Sequence, residues 1–142
     1  METDMHPLLA LKTLLLACAC LLMLGCNSSP TAVTVEQLLK TGQSWTGTPY
    51  TWPDGKPEFT VVKITLPANT ALKWHTHPMP NIAYVVAGEL LVETEDGMHK
   101  TTLKPGKVLP EMVNTSHRGT SGKAPVELIV FYAGTPGMPL SH

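Results

Sequence analysis

Charge is scarce in this chain. Only 15% of its 142 residues are Asp, Glu, Lys or Arg, and eleven acidic against ten basic side chains leave a formal net charge of −1. Gripping a nucleic-acid backbone takes clustered Lys and Arg, and single-strand binders interleave them with aromatics. No stretch supplies either, so nucleic acid is not expected as a partner. A Gly-rich phosphate loop, a Gly-x-Ser-x-Gly elbow, a Cys-x-x-Cys pair and any internal repeat are also missing. Phosphate-loop, serine-hydrolase and thiol-redox chemistry therefore have no support, and neither has a repeat architecture. The apolar run at residues 14–24 (LLLACACLLML) is too short to span a bilayer with ease.

What is present suits one compact domain: 43% of residues are hydrophobic, and 13 prolines and 11 glycines are spread between short apolar runs. That spacing reads as tight turns joining strands, with little helix. The 14–24 run follows Lys12, where a secretory signal would sit, and ends in Leu24-Gly25-Cys26 before changing to Asn27-Ser28-Ser29-Pro30. This junction resembles the lipobox of bacterial lipoproteins, with Met23 where leucine is usual. The resemblance implies cleavage before Cys26 and lipidation of Cys26. Residues 1–25 are then a signal peptide, with Met1 or Met5 as the start, and 26–33 a lipidated tether. Cys18 and Cys20 lie inside the signal, so the mature chain keeps one cysteine and no intramolecular disulfide. An uncleaved anchor or a plain signal peptide would still leave the domain outside the cytoplasm. Asn27 is not the aspartate that resembles an inner-membrane retention signal. The expected address is the cell envelope, lipid-anchored and facing the periplasm, at the outer membrane in preference to the inner.

In the exported part, Thr34-Val35-Glu36-Gln37 has capping-box spacing, Leu38 and Leu39 follow, and Gly42 can end a turn, so one short helix is expected. Residues 44–57 (SWTGTPYTWPDGKP) read as a loop or edge strand over the core. Short β-like runs then follow at 59–66, 72–77, 82–86, 89–94, 98–103, 107–111 and 126–133, a spacing that suggests a barrel or sandwich. Asp96-Gly97 is the strongest hairpin signal and predicts a type I′ turn. The last run is apolar on both faces and should be a central, doubly covered strand.

His75-Thr76-His77 carries the chemistry. Residues two apart in a strand share a face, so both imidazoles can project together, and an adjacent strand can bring His117 beside them. Three imidazoles suit iron, nickel, copper, cobalt or zinc better than magnesium or calcium. His6, His99 and His142 stand alone and are read as ordinary core or surface residues.

These histidines sit in two segments that resemble the motifs of the cupin superfamily. The first reads Asn69-x5-His75-x-His77-x3-Asn81-x6-Gly88, and the second Gly106-x5-Met112-x-Asn114-x2-His117-x3-Ser121. Tyr84 to Leu90 and Pro105-Gly106 also look like that superfamily's turns, and the likeness covers about residues 59–134. It implies an all-β, single-domain, jelly-roll-like β-barrel over residues 34–142, preceded by the short helix. It further implies one divalent transition metal (Fe, Mn, Ni, Zn or Cu) on His75, His77 and His117. The fourth ligand is usually glutamate, where this chain has Asn81, a neutral and weaker donor. Asn114 replaces the usual glycine and is the non-glycine residue best able to take positive φ. Glu111, six residues before His117, is the candidate for the missing carboxylate, as ligand, as catalytic proton acceptor or as a partner of the histidines.

Trp74, Tyr84, Met112, Phe131 and Tyr132 are candidates for the walls of a ligand pocket. The resemblance leaves three functions open: a metal-dependent enzyme of oxygenase-like or isomerase-like chemistry on a small molecule, a metal or small-ligand binding and sensing module, and a structural envelope domain. A homodimer is expected from the habits of similar small domains.

Overall fold

The computed structural model describes residues 32–142; the expected signal peptide, Cys26 and most of the tether lie outside the described residues. Gln37–His142 forms one compact unit. Its strands, in chain order, are β1 (Glu58–Leu66), β2 (Asn81–Ala87), β3 (Leu90–Thr94), β4 (Lys100–Leu103), β5 (Val108–Pro110), β6 (His117–Ser121) and β7 (Val126–Gly134). They form two antiparallel sheets, ordered β1-β7-β2-β5 and β4-β3-β6.

Period-2 alternation decides which residues fill the space between the sheets. Leu66 of β1, Ala83 and Val85 of β2, and Leu128 and Val130 of β7 meet Leu90 and Val92 of β3 in one buried cluster. The strand β7 is central, lying between β1 and β2, yet it is covered on one face only, because Phe131 on its outer face is 47% exposed.

Three local expectations change. The helix at 34–42 does not form: the described residues contain no helix, and Val35 and Leu38 are exposed. Two helical turns beginning with β-branched Thr34 and Val35 cannot recover the cost of nucleation without a packed face. The β3–β4 connection is not a type I′ turn, since Gly97 has φ of +71° but Asp96 has no positive φ. Instead the loop closes through Asp96 Oδ1, which accepts from Thr94 Oγ1 at 2.5 Å and from Met98 N at 2.9 Å. The 72–77 run is not a strand of either sheet but touches other segments at single bridges, His75 to His117 and His77 to Val113, with Ala71 just before it bridged to Thr120.

Gly88, between β2 and β3, has φ of +77°, and a Cβ there would stand 2.2 Å from the Pro125 carbonyl oxygen. Only glycine fits. Asn69 and Asn114 take φ of +53° and +54°, so asparagine keeps both turns before the histidines where glycine would be usual. Residues 44–50 lie against the edge of β5, with Trp45 N donating to Pro110 O at 2.8 Å. That contact covers part of an otherwise open sheet edge.

Candidate metal centre

His117 begins β6, and its backbone exchanges two hydrogen bonds of 3.0 Å with His75, which sets the two imidazoles side by side. His77 lies two residues on and is held by Asn114 N donating to His77 O at 2.8 Å. The three rings pack with centroids 4.9, 4.6 and 5.1 Å apart. His77 and His117 are each only 2% exposed.

Each ring points one nitrogen at a backbone carbonyl. His75 Nδ1 is 2.8 Å from Lys73 O, His77 Nδ1 is 2.6 Å from Leu140 O, and His117 Nδ1 is 2.8 Å from Thr115 O. A carbonyl oxygen only accepts, so every Nδ1 carries the proton and donates. In the neutral ring each Nε2 then keeps its lone pair, and one ligand nitrogen from each histidine lies within 4.8 Å of the others. His117 Nε2 is buried, and its contact to a carboxylate, Glu111 Oε2 at 3.4 Å, is long and poorly aligned. Three converging lone pairs with protonated partners behind them are the donor set of a transition-metal site.

Glu111 follows the last residue of β5 and completes the cluster. Its Oε2 lies 2.9 Å from His77 Nε2 and 3.4 Å from His117 Nε2. Burial alone would push this carboxyl up, but hydrogen bonds and charge interactions with His117 and His77 outweigh it and hold the pKa at about 2. His117 responds in the opposite sense: burial lowers its pKa, and the Glu111 carboxylate raises it further than burial lowers it. His75 is held below the usual histidine value, chiefly by burial. Without a metal, Glu111 is therefore an anion that favours a proton on the facing Nε2 of His117, and a metal would take the place of that proton.

Glu111 N donates to Asn81 O at 3.0 Å, so the two residues face each other across β2 and β5. Glu111 lines the small cavity beside the imidazoles, and Asn81 does not. The Asn81 side chain is 1% exposed, and neither its Oδ1 nor its Nδ2 makes a hydrogen bond. The carboxylate expected from β2 thus enters from the neighbouring strand end.

Of the five aromatic and methionine residues expected in the pocket walls, only Tyr132 lines this cavity; its ring lies 5.5 Å from His77, and its hydroxyl is pushed up to about 12 by burial and by Glu111. The other four point elsewhere. Phe131 and Tyr84 alternate with inward residues and line a cleft on the outer face of the four-stranded sheet with Ile82 and Ile129. Trp74 stacks under Arg118, whose guanidinium is 4.2 Å from the ring centroid and bonded to Glu93. Met112 is buried, but Glu111 before it takes the cavity-facing position. The reason is common to all four: apolar residue type does not reveal which face a residue takes.

The cavity between the imidazoles measures about 40 Å³ and is otherwise apolar, with Leu90, Val92, Leu128 and Val130 in its walls. It opens on a larger mouth of about 360 Å³ bordered by Ile64, Leu72, Tyr132 and Ser141. Two contributors were not visible in the sequence. Tyr50 donates its hydroxyl proton to Glu111 O at 2.5 Å, and the Leu140 carbonyl orients His77. A backbone acceptor leaves no mark in a sequence, and Tyr50 stands in a loop without periodicity.

Residues 62–132 match a family model described as Cupin domain. No curated protein matches the chain. Among solved structures, it is similar to DMSP lyase DddQ from Ruegeria pomeroyi DSS-3, with 22% identity and a TM-score of 0.53 over 66% of this chain and 45% of that one. It is also similar to the polyketide cyclase RemF from Streptomyces resistomycificus, with 16% identity and a TM-score of 0.52 over 66% of this chain and 67% of that one. BH2720 from Bacillus halodurans gives 18% identity and a TM-score of 0.52, covering 59% and 67% of the respective chains. The chain spans less than half the length of the lyase it matches. These likenesses concern the fold.

Proposed function

Because the chain belongs to the cupin-domain family, we propose that it is a divalent-transition-metal-binding cupin of the cell envelope that takes a small organic ligand at the mouth of its histidine cavity. The observation that carries this reading is the three Nδ1 nitrogens donating to carbonyls, which leaves three Nε2 lone pairs converging. His75, His77 and His117 would hold the ion, and Glu111 supplies the negative charge that offsets it. A bound ion supplies Lewis acidity or a site for dioxygen.

The chain's own residues set the rest. A cavity of about 40 Å³ has room for little more than a water-sized molecule, so an organic ligand is left to the mouth, against Ile64, Leu72 and Tyr132. Glu111, ionised and 2.9 and 3.4 Å from two imidazole nitrogens, lines the small cavity and not the mouth, so it is placed to take a proton from a water-sized molecule held beside the imidazoles. The apolar walls exclude bulk water. Oxygenase-like or isomerase-like turnover is the first reading. Binding and sensing without turnover is the alternative, favoured by the same small cavity and by a carboxylate already engaged with its neighbours.

Metal content measured by elemental mass spectrometry on the purified protein tests the reading. About one equivalent in the native chain, lost in the His75→Ala/His77→Ala double variant, supports it; less than a tenth of an equivalent in the native chain, even after reconstitution with each candidate metal, refutes it. Oxygen uptake or product formation by the loaded protein then separates enzyme from sensor. Lipid anchoring through Cys26 belongs to the same proposal, and loss of fatty-acid labelling in Cys26→Ser tests it. Exposed Phe59, Val61 and Phe131 on the outer sheet face support pairing with a second copy, which light scattering would read as twice the monomer mass.

A further inference from the structure

Two of the three imidazoles are oriented by their own backbone segments. His75 and His117 each bond a carbonyl two residues earlier, Lys73 O and Thr115 O. His77 instead bonds Leu140 O, 63 positions away, through the shortest of the three contacts at 2.6 Å. After β7 the chain turns at Gly137, which has φ of +80°, with Met138 N donating to Thr135 O. It then runs back along the histidine segment: Thr76 N donates to His142 O at 3.2 Å, and His142 N to Thr76 O at 3.1 Å. Met138 and Leu140 pack against the core, and Ser141 lines the mouth of the cavity.

We propose that residues 138–142 are a positioning strap for the metal site. Docked, the strap fixes His77 in the Nδ1-protonated form with Nε2 turned to the cavity; undocked, it frees the ring to rotate and to exchange its tautomer. Ligand geometry at His77 then depends on a short segment held by two apolar side chains and one pair of backbone hydrogen bonds. Such a segment opens at far lower cost than the sheets. The strap also borders the mouth, so whatever enters there touches the element that orients a metal ligand. The consequence for metal affinity rests on the metal-binding reading of the site, whereas the effect on the His77 ring does not.

The test uses the full chain, a chain stopped after Pro139, and a full-length Met138→Ser/Leu140→Ser variant that weakens docking should the shorter chain fail to fold. Long-range ¹H–¹⁵N spectra of the metal-free proteins report which nitrogen of each histidine carries the proton, and zinc affinity is read by competition with a chelator. The expected result is loss of the fixed Nδ1 proton at His77, with His75 and His117 unchanged. Zinc binding should weaken by about 10-fold to 100-fold, the usual cost of losing a ligand's supporting hydrogen bond. Retention of the His77 Nδ1 proton in a variant whose strap amides have become exchangeable would overturn the proposal, as would a folded, strap-released variant whose zinc affinity stays within threefold of the native value. If the native chain binds no zinc while His77 still changes tautomer on release of the strap, the metal reading fails and the positioning role stands.

Discussion

The candidate centre has two halves built on different principles. His75 and His117 face each other across a backbone bridge and take their orientation from carbonyls two residues away. His77 and Glu111 depend on distant chain: His77 on Leu140, and Glu111 on Asn81 across the sheet and on the Tyr50 hydroxyl. The first half is as robust as the β6 backbone that carries it. The second is assembled by tertiary contacts and can be altered without unfolding a strand. One backbone bridge and two local carbonyls therefore supply an oriented pair of donors, and side-chain and strap contacts from elsewhere decide whether a third donor and a charge join them.

The largest expected effect is on the local half. His117→Ala removes one donor and leaves the largely buried Glu111, 12% exposed, with a single imidazole partner. Metal binding should fall by more than about 1,000-fold, and the metal-free protein should lose roughly 3 kcal/mol, the usual cost of breaking a buried ion pair from one side. Equilibrium denaturation and metal titration would check both figures. If His117→Ala proves no worse than His77→Ala, the local pair is not the foundation of the site.

Glu111→Gln comes next and addresses the assembled half. Metal affinity should fall about 10-fold to 100-fold. The accompanying pH effect has a definite sign. In the native chain His117 is held above its ordinary 6.5, and a proton there competes with a metal, so affinity rises as pH climbs through the raised value. With glutamine at 111 that cause disappears, and the midpoint of metal binding against pH should move down. A midpoint that does not move would show that Glu111 does not set the His117 proton.

The metal-free protein should show a stability maximum in mildly acid solution. The depressed Glu111 contributes stability above its ordinary 4.5, lost as pH falls towards about 2. The raised His117 contributes stability below 6.5, lost as pH rises through its folded-state value. Both contributions are present together between 4.5 and 6.5, and the depressed His75, which loses stability as pH falls below 6.5, trims the acid side of that window. Thermal melts across pH, with and without metal, should show the maximum in the metal-free protein and its disappearance in Glu111→Gln.

The two smallest effects concern the supports of Glu111. Tyr50→Phe removes one hydrogen bond to the Glu111 carbonyl and should cost about 1 kcal/mol, with metal affinity reduced by less than Glu111→Gln reduces it. Asn81→Leu replaces a buried amide that makes no hydrogen bond. It should raise the melting temperature of the metal-free protein by an amount corresponding to roughly 1 to 2 kcal/mol. A destabilised Asn81→Leu protein would mean that the amide has a partner when the protein is in solution.

Much of the fold was legible from pattern. Six of the seven strands coincide with apolar runs bounded by turn residues, to within two residues at most ends. The missed strand, β6, is His117-Arg118-Gly119-Thr120-Ser121, whose inward positions hold a histidine, a glycine and a serine rather than aliphatic residues. A strand that lines a polar site gives up the hydrophobic signal by which strands are recognised. The histidine triad was legible because strand periodicity and motif spacing both point to it. Its walls were not: Phe131 and Tyr132 are adjacent aromatics of similar size, and one faces solvent while the other faces His77.

The sequence by itself determined the all-β architecture, the three histidines and the asparagines that keep the turns before them, because alternation, turn chemistry and positive φ are local properties of a chain. Tertiary structure alone decided which carboxylate meets the imidazoles, which nitrogen of His77 is free, and which aromatic enters the cavity. Those outcomes depend on the register between strands far apart in the chain and on backbone carbonyls that every residue carries alike.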